Sequence, residues 1–386
     1  MNTGEFLATC ELSDWLIGSV YLLAVNIQLY YLLGIQLRLG LHRPEMPADR
    51  IRDKDHFGGI SVVICARNEQ ENLGKFLPGI LEQDYPDFEV VVVDDASTDD
   101  SAELLGDLTR KYPRLRVTSI PLNDKFRHGK KLALTIGLKA AHFERVLLTD
   151  ADCYPESDQW IGNMASRLEG GKKIVLGYGG YEYRKGFLNR LIRYETVTTA
   201  MMFLSRALKG RPYMGVGRNL GYEKALYFRS EGFRNHYHIP SGDDDLLVNA
   251  VATGENTAVE LNGSSFTRSL PPESAGAWIR QKKRHVTAGV HYKKTTRLML
   301  AVDWISRLMV YAGLILSISL TPWKWAAALV FLIYTGIRIV VLKLGMRRLD
   351  EKYLLLPSLL FDPILPLFLG IIWLSNLFNS KNQVWN

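Results

Sequence analysis

Cysteine is scarce in this 386-residue sequence, which contains only Cys10, Cys65 and Cys153. The three are far apart and form no CxxC pair, so the sequence predicts neither a disulfide framework nor a zinc site. Two phosphate-binding motifs are also absent: no GxGxxG follows the first predicted strand, and no GxxxxGK[ST] occurs in the chain. A dinucleotide-binding fold with that fingerprint and a P-loop are therefore not expected.

Charged residues are absent from Trp15 to Leu37, an apolar stretch near the N-terminus. A helix of this length, at ~1.5 Å per residue, would cross the ~30 Å hydrocarbon core of a bilayer. A cleaved signal peptide would need a basic start and a shorter apolar segment, whereas the residues before Trp15 include Glu5, Glu11 and Asp14. We therefore expect a retained membrane anchor.

Three further apolar blocks follow residue 300, over residues 308–323, 325–342 and 353–378. The first two are short for membrane spans. Arg338 and Asp362 lie inside the second and third blocks, and charges within a membrane usually face protein. Because prolines interrupt the third block, at positions 357, 363 and 366, we expect it to be broken or re-entrant instead of a straight span.

Basic residues cluster beside the apolar stretches and contribute to a net charge of +7. By the positive-inside rule these flanks lie in the cytoplasm, which places the N-terminus outside and the long middle of the chain inside. Contact with anionic lipid explains the basic excess, and no compact basic domain indicates nucleic-acid binding. The flanking residues are Arg38, Arg43, Arg50 and Arg52 after the N-terminal stretch, Lys282, Lys283, Arg284, Lys293, Lys294 and Arg297 before block 308–323, and Arg347, Arg348 and Lys352 after block 325–342.

Strand and helix patterns alternate in the middle of the chain. β-branched runs at residues 60–65, 88–93, 116–120 and 146–149 are separated by helical patterns, and this alternation predicts an α/β fold with a mostly parallel sheet. The predicted organisation is an extracytoplasmic N-terminus (1–14), a transmembrane helix (15–37), a cytoplasmic linker (38–56), an α/β domain with membrane-interface helices (57–300), a C-terminal membrane region of about three segments (301–380) and a tail (381–386).

Polar side chains follow three of the predicted strands at the point where each strand ends. Arg67 and Glu69 follow the first strand, Asp94 and Asp95 end the second, and Asp150 and Asp152 follow the fourth. Because the carboxyl ends of parallel strands meet at one edge of a sheet, the three groups indicate a single ligand crevice. Carboxylates at i and i+2 of an extended segment fall on the same side and suit a hard divalent cation; the alternative for Asp150 is a helix N-cap.

Six short motifs between Ile60 and His285 occur in an order that resembles the membrane-associated family 2 glycosyltransferases. The flanking membrane segments are also similar to those of polysaccharide synthases and ceramide glucosyltransferases. The motifs are residues 61–69 (SVVICARNE), residues 92–99 (VVDDASTD), Gly129-Lys130 with Ala133-Leu134, residues 150–152 (DAD), residues 242–244 (GDD) and residues 281–285 (QKKRH).

The resemblance implies a Rossmann-like GT-A fold that transfers a sugar from a nucleotide sugar, with a UDP-sugar as the preferred candidate, and inverts the anomeric carbon. In the family, the acidic pair after the second strand binds the nucleobase and ribose. The DAD motif implies a site for Mg²⁺ or Mn²⁺, with Asp152 as the main ligand and Asp150 in support. The implied donor-binding residues are Arg67, Glu69, Asp94, Asp95, Lys130, Asp150, Gln281 and Arg284.

Asp244 is the candidate general base, because in the family the second acidic residue after the glycine takes this role. Close carboxylates raise one another's pKa, which suits a base. The alternative is that the acids at 243–245 only cap a helix and compensate its dipole. Asp243 is also a candidate on the acceptor side.

Gln281 and Arg284 share a helix face at spacing i and i+3 and correspond to the family's diphosphate-binding motif. The family's aromatic residue is replaced here by His285, which leaves the acceptor platform and processive polymer synthesis in question. The segment also fits a basic amphipathic interface helix led by Trp278. The glycine-rich residues 214–222 resemble the acceptor-side loop, where Arg218 and Asn219 are candidates.

The sequence thus predicts an integral membrane glycosyltransferase with a cytoplasmic catalytic domain, in the inner membrane if the source is bacterial. Its expected partners are a nucleotide-sugar donor, a lipid or lipid-linked saccharide acceptor and the membrane, without nucleic acid, and the sequence leaves oligomerisation open. One alternative is a processive polysaccharide synthase. Another is a membrane ligand sensor that keeps the fold without catalysis.

Overall fold

The computed structural model describes residues 11–43, 58–122, 128–234, 237, 239 and 241–378. Several sequence-based predictions fall outside these residues and stay predictions. They concern the acidic start at Glu5, Arg50 and Arg52 in the linker, and the tail at 381–386.

Helices and strands alternate through the middle of the described chain, and long helices lie at both ends. The first helix contains one π-helical turn, Leu32–Gln36. The helices are α1 (Leu12–Leu41), α2 (Gln70–Leu81), α3 (Ser101–Lys111), α4 (Lys130–Ala140), α5 (Trp160–Ala165), α6 (Phe187–Leu208), α7 (Lys224–Arg229), α8 (Asp245–Val251), α9 (Ala275–Gly289), α10 (Lys294–Leu320), α11 (Lys324–Arg348) and α12 (Leu355–Phe378).

The strands form a seven-stranded sheet and a three-stranded sheet. The large sheet has the order β3-β2-β1-β4-β8-β6-β9, with β8 antiparallel to both of its neighbours and the other pairs parallel. The small sheet has the order β5-β10-β7. The strands are β1 (Ile60–Ala66), β2 (Phe88–Asp95), β3 (Leu115–Ile120), β4 (Arg145–Leu148), β5 (Cys153–Pro155), β6 (Ile174–Leu176), β7 (Gly179–Tyr181), β8 (Leu220–Glu223), β9 (Thr257–Val259) and β10 (Thr267–Ser269).

The α/β prediction is confirmed, and the observed strands lie within a residue or two of the predicted runs. β1 and β2 are buried on both faces because they lie in the middle of the sheet under helices, which explains their continuous β-branched sequence. Helix α4 packs closely on these strands, and a Cβ at Gly137 would collide with Val63 and Val93. This contact brings the start of α4 to the carboxyl edge of the sheet.

Among the described residues, four helices are long and apolar enough to cross a membrane: α1, α10, α11 and α12. They extend beyond the apolar blocks of the sequence, because their end turns and their buried faces carry polar residues. Helix α10 therefore begins at Lys294, before the expected boundary at 301, and the prediction that the first two C-terminal segments are short is wrong. The expected break in the third segment is also absent, since α12 continues through Pro363 and Pro366.

Buried ionic groups connect these apolar helices. Asp362 of α12 accepts hydrogen bonds from Arg338 of α11, from Tyr311 of α10 (2.5 Å) and from Tyr194 of α6 (3.0 Å). Arg307 of α10 lies 3.8 Å from the same carboxylate. Arg338 and Asp362 therefore face protein, as expected for charges within apolar helices, and their network joins α6 to three of the four candidate spans.

Helix α6 is the core element between the two parts of the molecule. It is buried along most of its length, and its apolar residues belong to one hydrophobic cluster that includes residues of both the sheet and the apolar helices. The α/β domain and the apolar helices are therefore packed on a common core.

The Asp362 network provides a stability test. Among the described residues, Asp362 is the carboxylate that accepts a hydrogen bond from Arg338. Asp362→Asn removes its charge and leaves a buried guanidinium without its counterion. We expect the variant to lose about 3–5 kcal/mol of folding free energy and to melt at a lower temperature in detergent. Ile371→Val, at an exposed position of the same helix, is the control and should stay within about 0.5 kcal/mol of the parent; equal melting temperatures for both variants would contradict the prediction.

Candidate active site

A cavity of about 340 Å³ lies at the carboxyl edge of the large sheet and extends toward α6 and α12. Most of the charged candidates from the sequence converge on it, although they come from segments that are distant in the chain. The sequence-predicted residues that line the cavity are Lys130, Asp150, Asp152, Arg218, Asp243, Asp244, Gln281 and His285.

Asp150 and Asp152 lie in the turn that connects β4 to β5. The backbone N–H of Cys153 donates to the carbonyl of Asp150 (3.1 Å), so the segment is a turn, and the expectation of an extended segment is wrong. The turn nevertheless brings the two side chains together. Their ligand atoms and the sulfur of Cys153 all lie within 4.8 Å of one another.

The donor atoms of this turn fit a hard divalent cation. Burial raises the pKa of the Cys153 thiol well above its ordinary value, and the charges of Asp152 and Asp150 raise it further, so the thiol stays protonated and is a poor ligand. Two carboxylates remain, and oxygen ligands are those that Mg²⁺ and Mn²⁺ prefer. Asp150 and Asp152 would hold the cation and leave positions for other oxygen ligands.

Two side-chain donors orient Asp152. Ser269 Oγ donates to Asp152 Oδ2 (2.9 Å), and the thiol of Cys153 donates to Oδ1 (3.3 Å). Burial, followed by the charge of Asp150, raises the pKa of this carboxyl. A cation at this site would lower the pKa again, because the cation stabilises the ionised form.

Lys130, the first residue of α4, bridges two parts of the cavity. Its Nζ lies 2.7 Å from Asp150 Oδ1 and 2.9 Å from Asp243 Oδ2. Burial disfavours the ammonium, but the charges of Asp150, Asp243 and Asp244 outweigh burial and hold the pKa of Lys130 well above its ordinary value. The ammonium group of Lys130 is therefore paired with two carboxylates in this structure and is not an unpaired phosphate-binding group.

Asp244 is both a helix cap and a cavity residue, so the two interpretations of the sequence are compatible. It is the N-cap of α8: its Oδ1 accepts from the N–H of Asp245 (2.7 Å), and its Oδ2 accepts from the N–H of Gly217 (2.5 Å). Burial and the neighbouring charge of Asp243 raise the pKa of Asp244 to about 6. A carboxyl with this pKa is ionised at neutral pH and is basic enough to accept a proton.

The two acids beside Asp244 have different environments. Asp243 pairs with Lys130, whose charge outweighs the effect of burial and lowers the pKa of Asp243. Asp245 is buried and accepts from the hydroxyl of Tyr292 (2.5 Å). Burial and the charge of Asp244 raise the pKa of Asp245 to about 8, so Asp245 is neutral at pH 7 and has a structural role.

Four donor-site candidates at the ends of β1 and β2 are not among the residues that line this cavity in the described structure. Arg67 follows β1, and Glu69 is the N-cap of α2, where it accepts from Asn72 (2.6 Å). Asp94 accepts from the N–H of Ser97 (3.1 Å), which stabilises the turn after β2.

Asp95 differs from the other three, because it is fully buried and only one of its oxygens is bonded. Its Oδ1 lies 2.7 Å from His128 Nδ1, whereas its Oδ2 has no hydrogen-bond partner in the described structure. A buried carboxylate oxygen without a donor is costly unless a ligand satisfies it.

Asn219 does not fit the acceptor-side role that the sequence indicated. The side chain is fully buried, and its amide nitrogen donates to the carbonyls of Tyr178 (2.9 Å) and Ser265 (2.8 Å). Its oxygen accepts from Trp160 Nε1 (3.0 Å). All three bonds hold the protein together, so Asn219 is a structural residue.

Helix α9 contributes Gln281 and His285 to the cavity but not the side chain of Arg284, as far as the described residues show. Gln281 accepts from the hydroxyl of Tyr181 (3.2 Å). Burial and the cations Lys282 and Arg284 lower the pKa of His285 well below its ordinary value, so its imidazole is neutral at pH 7. Trp278 is buried and stacks on Phe368 of α12 (5.0 Å between ring centroids), so it joins α9 to a candidate membrane helix and is not exposed on the surface.

The sequence patterns did not predict the roles of three residues in the site. Ser269 binds Asp152, Tyr181 lies under the guanidinium of Arg218 (4.4 Å) and bonds Gln281, and Gly217 supplies a backbone N–H to Asp244. The glycine-rich loop was a signal for Gly217. Ser269 and Tyr181 belong to short strands with no recognisable motif.

Apolar side chains also line part of the cavity. Ala200 and Phe203 of α6, Val286 of α9 and Leu369 of α12 line it. One ion pair, between Lys282 and Glu195 (2.5 Å), lies among these residues. The lining of the cavity therefore combines charged residues at the carboxyl edge of the sheet with apolar residues, one of which belongs to a candidate membrane helix.

Comparison with known proteins identifies the family of the α/β domain. Residues 61–228 match the family model described as "Glycosyl transferase family 2". The match begins in β1 and ends in α7, so it includes the turn with Asp150 and Asp152 and ends before Asp244.

Curated relatives include enzymes that act on different acceptors. Over 316 residues the chain is 22% identical to a dolichyl N-acetyl-alpha-D-glucosaminyl phosphate 3-beta-D-2,3-diacetamido-2,3-dideoxy-beta-D-glucuronosyltransferase of Methanococcus voltae, covering 78% of this chain and 92% of the relative. It is 31% identical over 100 residues to a poly-beta-1,6-N-acetyl-D-glucosamine synthase of Staphylococcus epidermidis, covering 26% of this chain and 23% of the synthase. A beta-monoglucosyldiacylglycerol synthase of Nostoc is 28% identical over 153 residues, covering 37% of this chain and 32% of that enzyme. The chain thus spans less than a third of two of these three relatives.

A solved structure shares the fold over nearly the whole chain. The mannosyltransferase PcManGT from Pyrobaculum calidifontis, in complex with GDP-Man and Mn²⁺, superposes with a TM-score of 0.63 at 19% identity and covers 96% of this chain and 100% of its own. The expected GT-A fold is therefore confirmed. The family match thus shows that residues 61–228 form a glycosyl transferase family 2 domain, and the superposition shows the shared fold.

Proposed function

We propose that this protein is a membrane-embedded inverting glycosyltransferase that transfers a sugar from a nucleotide sugar to a lipid or lipid-linked saccharide. The observation that carries the proposal is the cavity itself: the acidic turn of Asp150 and Asp152, the base candidate Asp244 and an apolar wall against α12 line one continuous space. A donor diphosphate, an acceptor hydroxyl and an apolar chain each have a matching surface there.

On the donor side, the unpartnered oxygen of Asp95 supports binding of the ribose or nucleobase, which would supply the missing hydrogen bond. Lys130 and Gln281 are the proposed contacts to the diphosphate. Lys130 reaches this role by exchanging one of its two carboxylate partners for a phosphate oxygen, because cation binding at Asp150 would compete with the same ion pair. A UDP-sugar is the first donor to test.

Asp152 and Asp150 would hold Mg²⁺ or Mn²⁺ against the diphosphate. When bound, the cation offsets the negative charge that develops on the leaving nucleoside diphosphate. The PcManGT complex contains Mn²⁺, which supports a divalent cation in this fold.

Asp244 performs the proton transfer in this proposal. Its carboxylate takes the proton of the acceptor hydroxyl as the oxygen attacks the anomeric carbon, and the bond from that carbon to the diphosphate oxygen breaks. Attack on the face opposite the leaving group inverts the anomeric centre. The N–H groups of Gly217 and Asp245 hold the carboxylate in place for this step.

The apolar residues in the cavity lining support a lipid acceptor. Two of the relatives carry lipid names, dolichyl phosphate and diacylglycerol. The basic residues beside the candidate spans support a cytoplasmic catalytic domain with its cavity at the lipid surface. The polysaccharide synthase remains the alternative, and the length of the product distinguishes it: one added sugar supports the proposal, a polymer the alternative.

Asp244→Asn tests the proposed base. The variant keeps the size of the side chain and an acceptor for one of its two backbone N–H partners, but it cannot accept the proton. We therefore expect transfer, measured as release of nucleoside diphosphate from a panel of nucleotide sugars with Mn²⁺ and native lipid, to fall ~10²–10⁴-fold. Donor binding should survive.

Asp245→Asn is the matched control for this substitution. Asp245 is already neutral at pH 7 and only accepts from Tyr292, which an amide oxygen can also do, so its transfer rate should stay near that of the parent. Equal losses in the two variants would remove Asp244 from the role of base. If the parent protein releases no nucleoside diphosphate from any donor in the panel, the proposed function is wrong.

The pH dependence of transfer gives a second test of Asp244. The ionised form is active, so the rate at saturating substrates should rise with pH through a pKa of about 6 and level off above it. The Asp244→Asn variant should lose this acidic limb of its residual rate. A parent profile that is flat from pH 5 to 7 would contradict the assignment.

Ala200→Phe tests the acceptor end. Ala200 is buried in α6 and lines the apolar part of the cavity, so a phenyl ring there would occupy the proposed space of the lipid chain. We expect transfer to a long-chain lipid acceptor to fall at least about tenfold, the effect of ~1.4 kcal/mol, while nucleotide binding is unchanged. Ala200→Ser, which adds little volume, is the control; unchanged transfer in the phenylalanine variant would place the acceptor elsewhere.

A further inference from the structure

Glu351 lies outside the cavity lining but is the most buried acid of the turn between α11 and α12. Its backbone N–H donates to the carbonyl of Met346 (2.8 Å), which fixes it to the end of α11. The side chain is completely buried. A buried carboxylate in a connection between two candidate membrane helices requires partners, and all of those found come from the α/β domain.

Three side chains of the α/β domain donate to this single carboxylate. Tyr178 (2.8 Å) and Arg268 (2.5 Å) bond Oε1, and Arg193 (2.5 Å) bonds Oε2. Arg268 is also held from its other side by Glu156 (2.9 Å). The charges of the two arginines and the two glutamates balance, so the cluster is neutral as a whole.

Arg268 connects this cluster to the turn that contains Asp150 and Asp152. It is the middle residue of β10, and successive residues of a strand point to opposite faces. Arg268 therefore faces Glu351, whereas the next residue, Ser269, faces the cavity and donates to Asp152 Oδ2 (2.9 Å). The N–H of Leu270 adds a bond to the carbonyl of Asp152 (3.3 Å).

The neighbouring strand leaves space for this arrangement. Gly180 of β7 pairs with Arg268 in the small sheet. A Cβ at Gly180 would collide with the guanidinium of Arg268 and would lie 3.1 Å from Glu351 Oε1. Glycine at this position thus permits the close approach of the two charged groups.

We propose that Glu351 is a positioning residue for the metal site: from the turn between two membrane helices it holds Arg268, and through β10 it places Ser269 against Asp152. The inference rests on the proposed function in one respect, the assignment of Asp152 as a metal ligand. It adds that the candidate membrane helices help to orient Asp152, in addition to attaching the domain to lipid.

Glu351→Gln tests this inference in the full-length protein in lipid nanodiscs. The amide keeps the shape but removes the charge that holds the two arginines, so β10 should shift and Asp152 should lose its orientation. We expect affinity for Mn²⁺ alone, measured by electron paramagnetic resonance of the free ion, to fall about 10–100-fold, as for other residues that orient metal ligands. The spectrum of bound Mn²⁺ should change as well.

Two further variants separate positioning from general damage. Lys352→Ala changes the adjacent, exposed residue of the same turn and should leave Mn²⁺ affinity unchanged. Ser269→Ala should weaken Mn²⁺ binding, and the double variant with Glu351→Gln should be no weaker than the weaker single variant, because both act through one connection. If Glu351→Gln does not fold, Tyr178→Phe removes one bond to the carboxylate and should lower the affinity by a smaller factor.

The outcomes distinguish this inference from the proposed function. If the parent binds Mn²⁺ and Glu351→Gln or Tyr178→Phe, whichever folds, binds it equally well, the positioning role is wrong and the proposed function stands. Additive losses in the double variant would also overturn it, since they indicate independent effects. A parent that binds no Mn²⁺ would overturn both the metal assignment and the inference.

Discussion

The ammonium group of Lys130 lies between Asp150 and Asp243, two carboxylates from distant segments of the chain, and the site depends on this contact. Several acids face one small cavity, and without a cation they would raise one another's pKa until some were protonated. Lys130 keeps Asp243 ionised, which in turn helps to raise the pKa of Asp244. One lysine thus allows several acids with different pKa values to lie side by side in the cavity.

The candidate membrane helices and the α/β domain are parts of one packed structure. Helix α6 contributes to a hydrophobic cluster with residues of both, and its Tyr194 reaches the buried ion pair of Arg338 and Asp362. Glu351 forms a second polar connection, because it bonds Arg268 of the α/β domain, the residue before Ser269. Since Leu369 of α12 lines the cavity, this candidate membrane helix contributes directly to the site.

Local sequence patterns predicted most of the helices and strands but not the continuity of α12. Prolines 363 and 366 indicated a break, yet the helix is continuous, and side chains of other helices bond to it in this segment. Trp304 donates to the carbonyl of Pro366 (2.8 Å), and Asp362 is held by three side chains. Such support comes from other helices, so it leaves no trace in the local pattern. Asn219 shows the same limit: its loop resembled an acceptor-binding loop, but its three bonds are internal.

The order of the strands and the polar residues at their carboxyl ends were readable from the sequence, because periodicity and β-branched runs are local properties. The motif order likewise located Asp152, Asp244 and Lys130, since those residue types follow from the resemblance. Tertiary structure alone decided that Lys130 pairs with Asp150 and Asp243, that Ser269 orients Asp152, and that Arg284 does not line the cavity with Gln281. These facts depend on which distant segments meet and on how deeply each charge is buried, and burial sets the strength of an electrostatic contact.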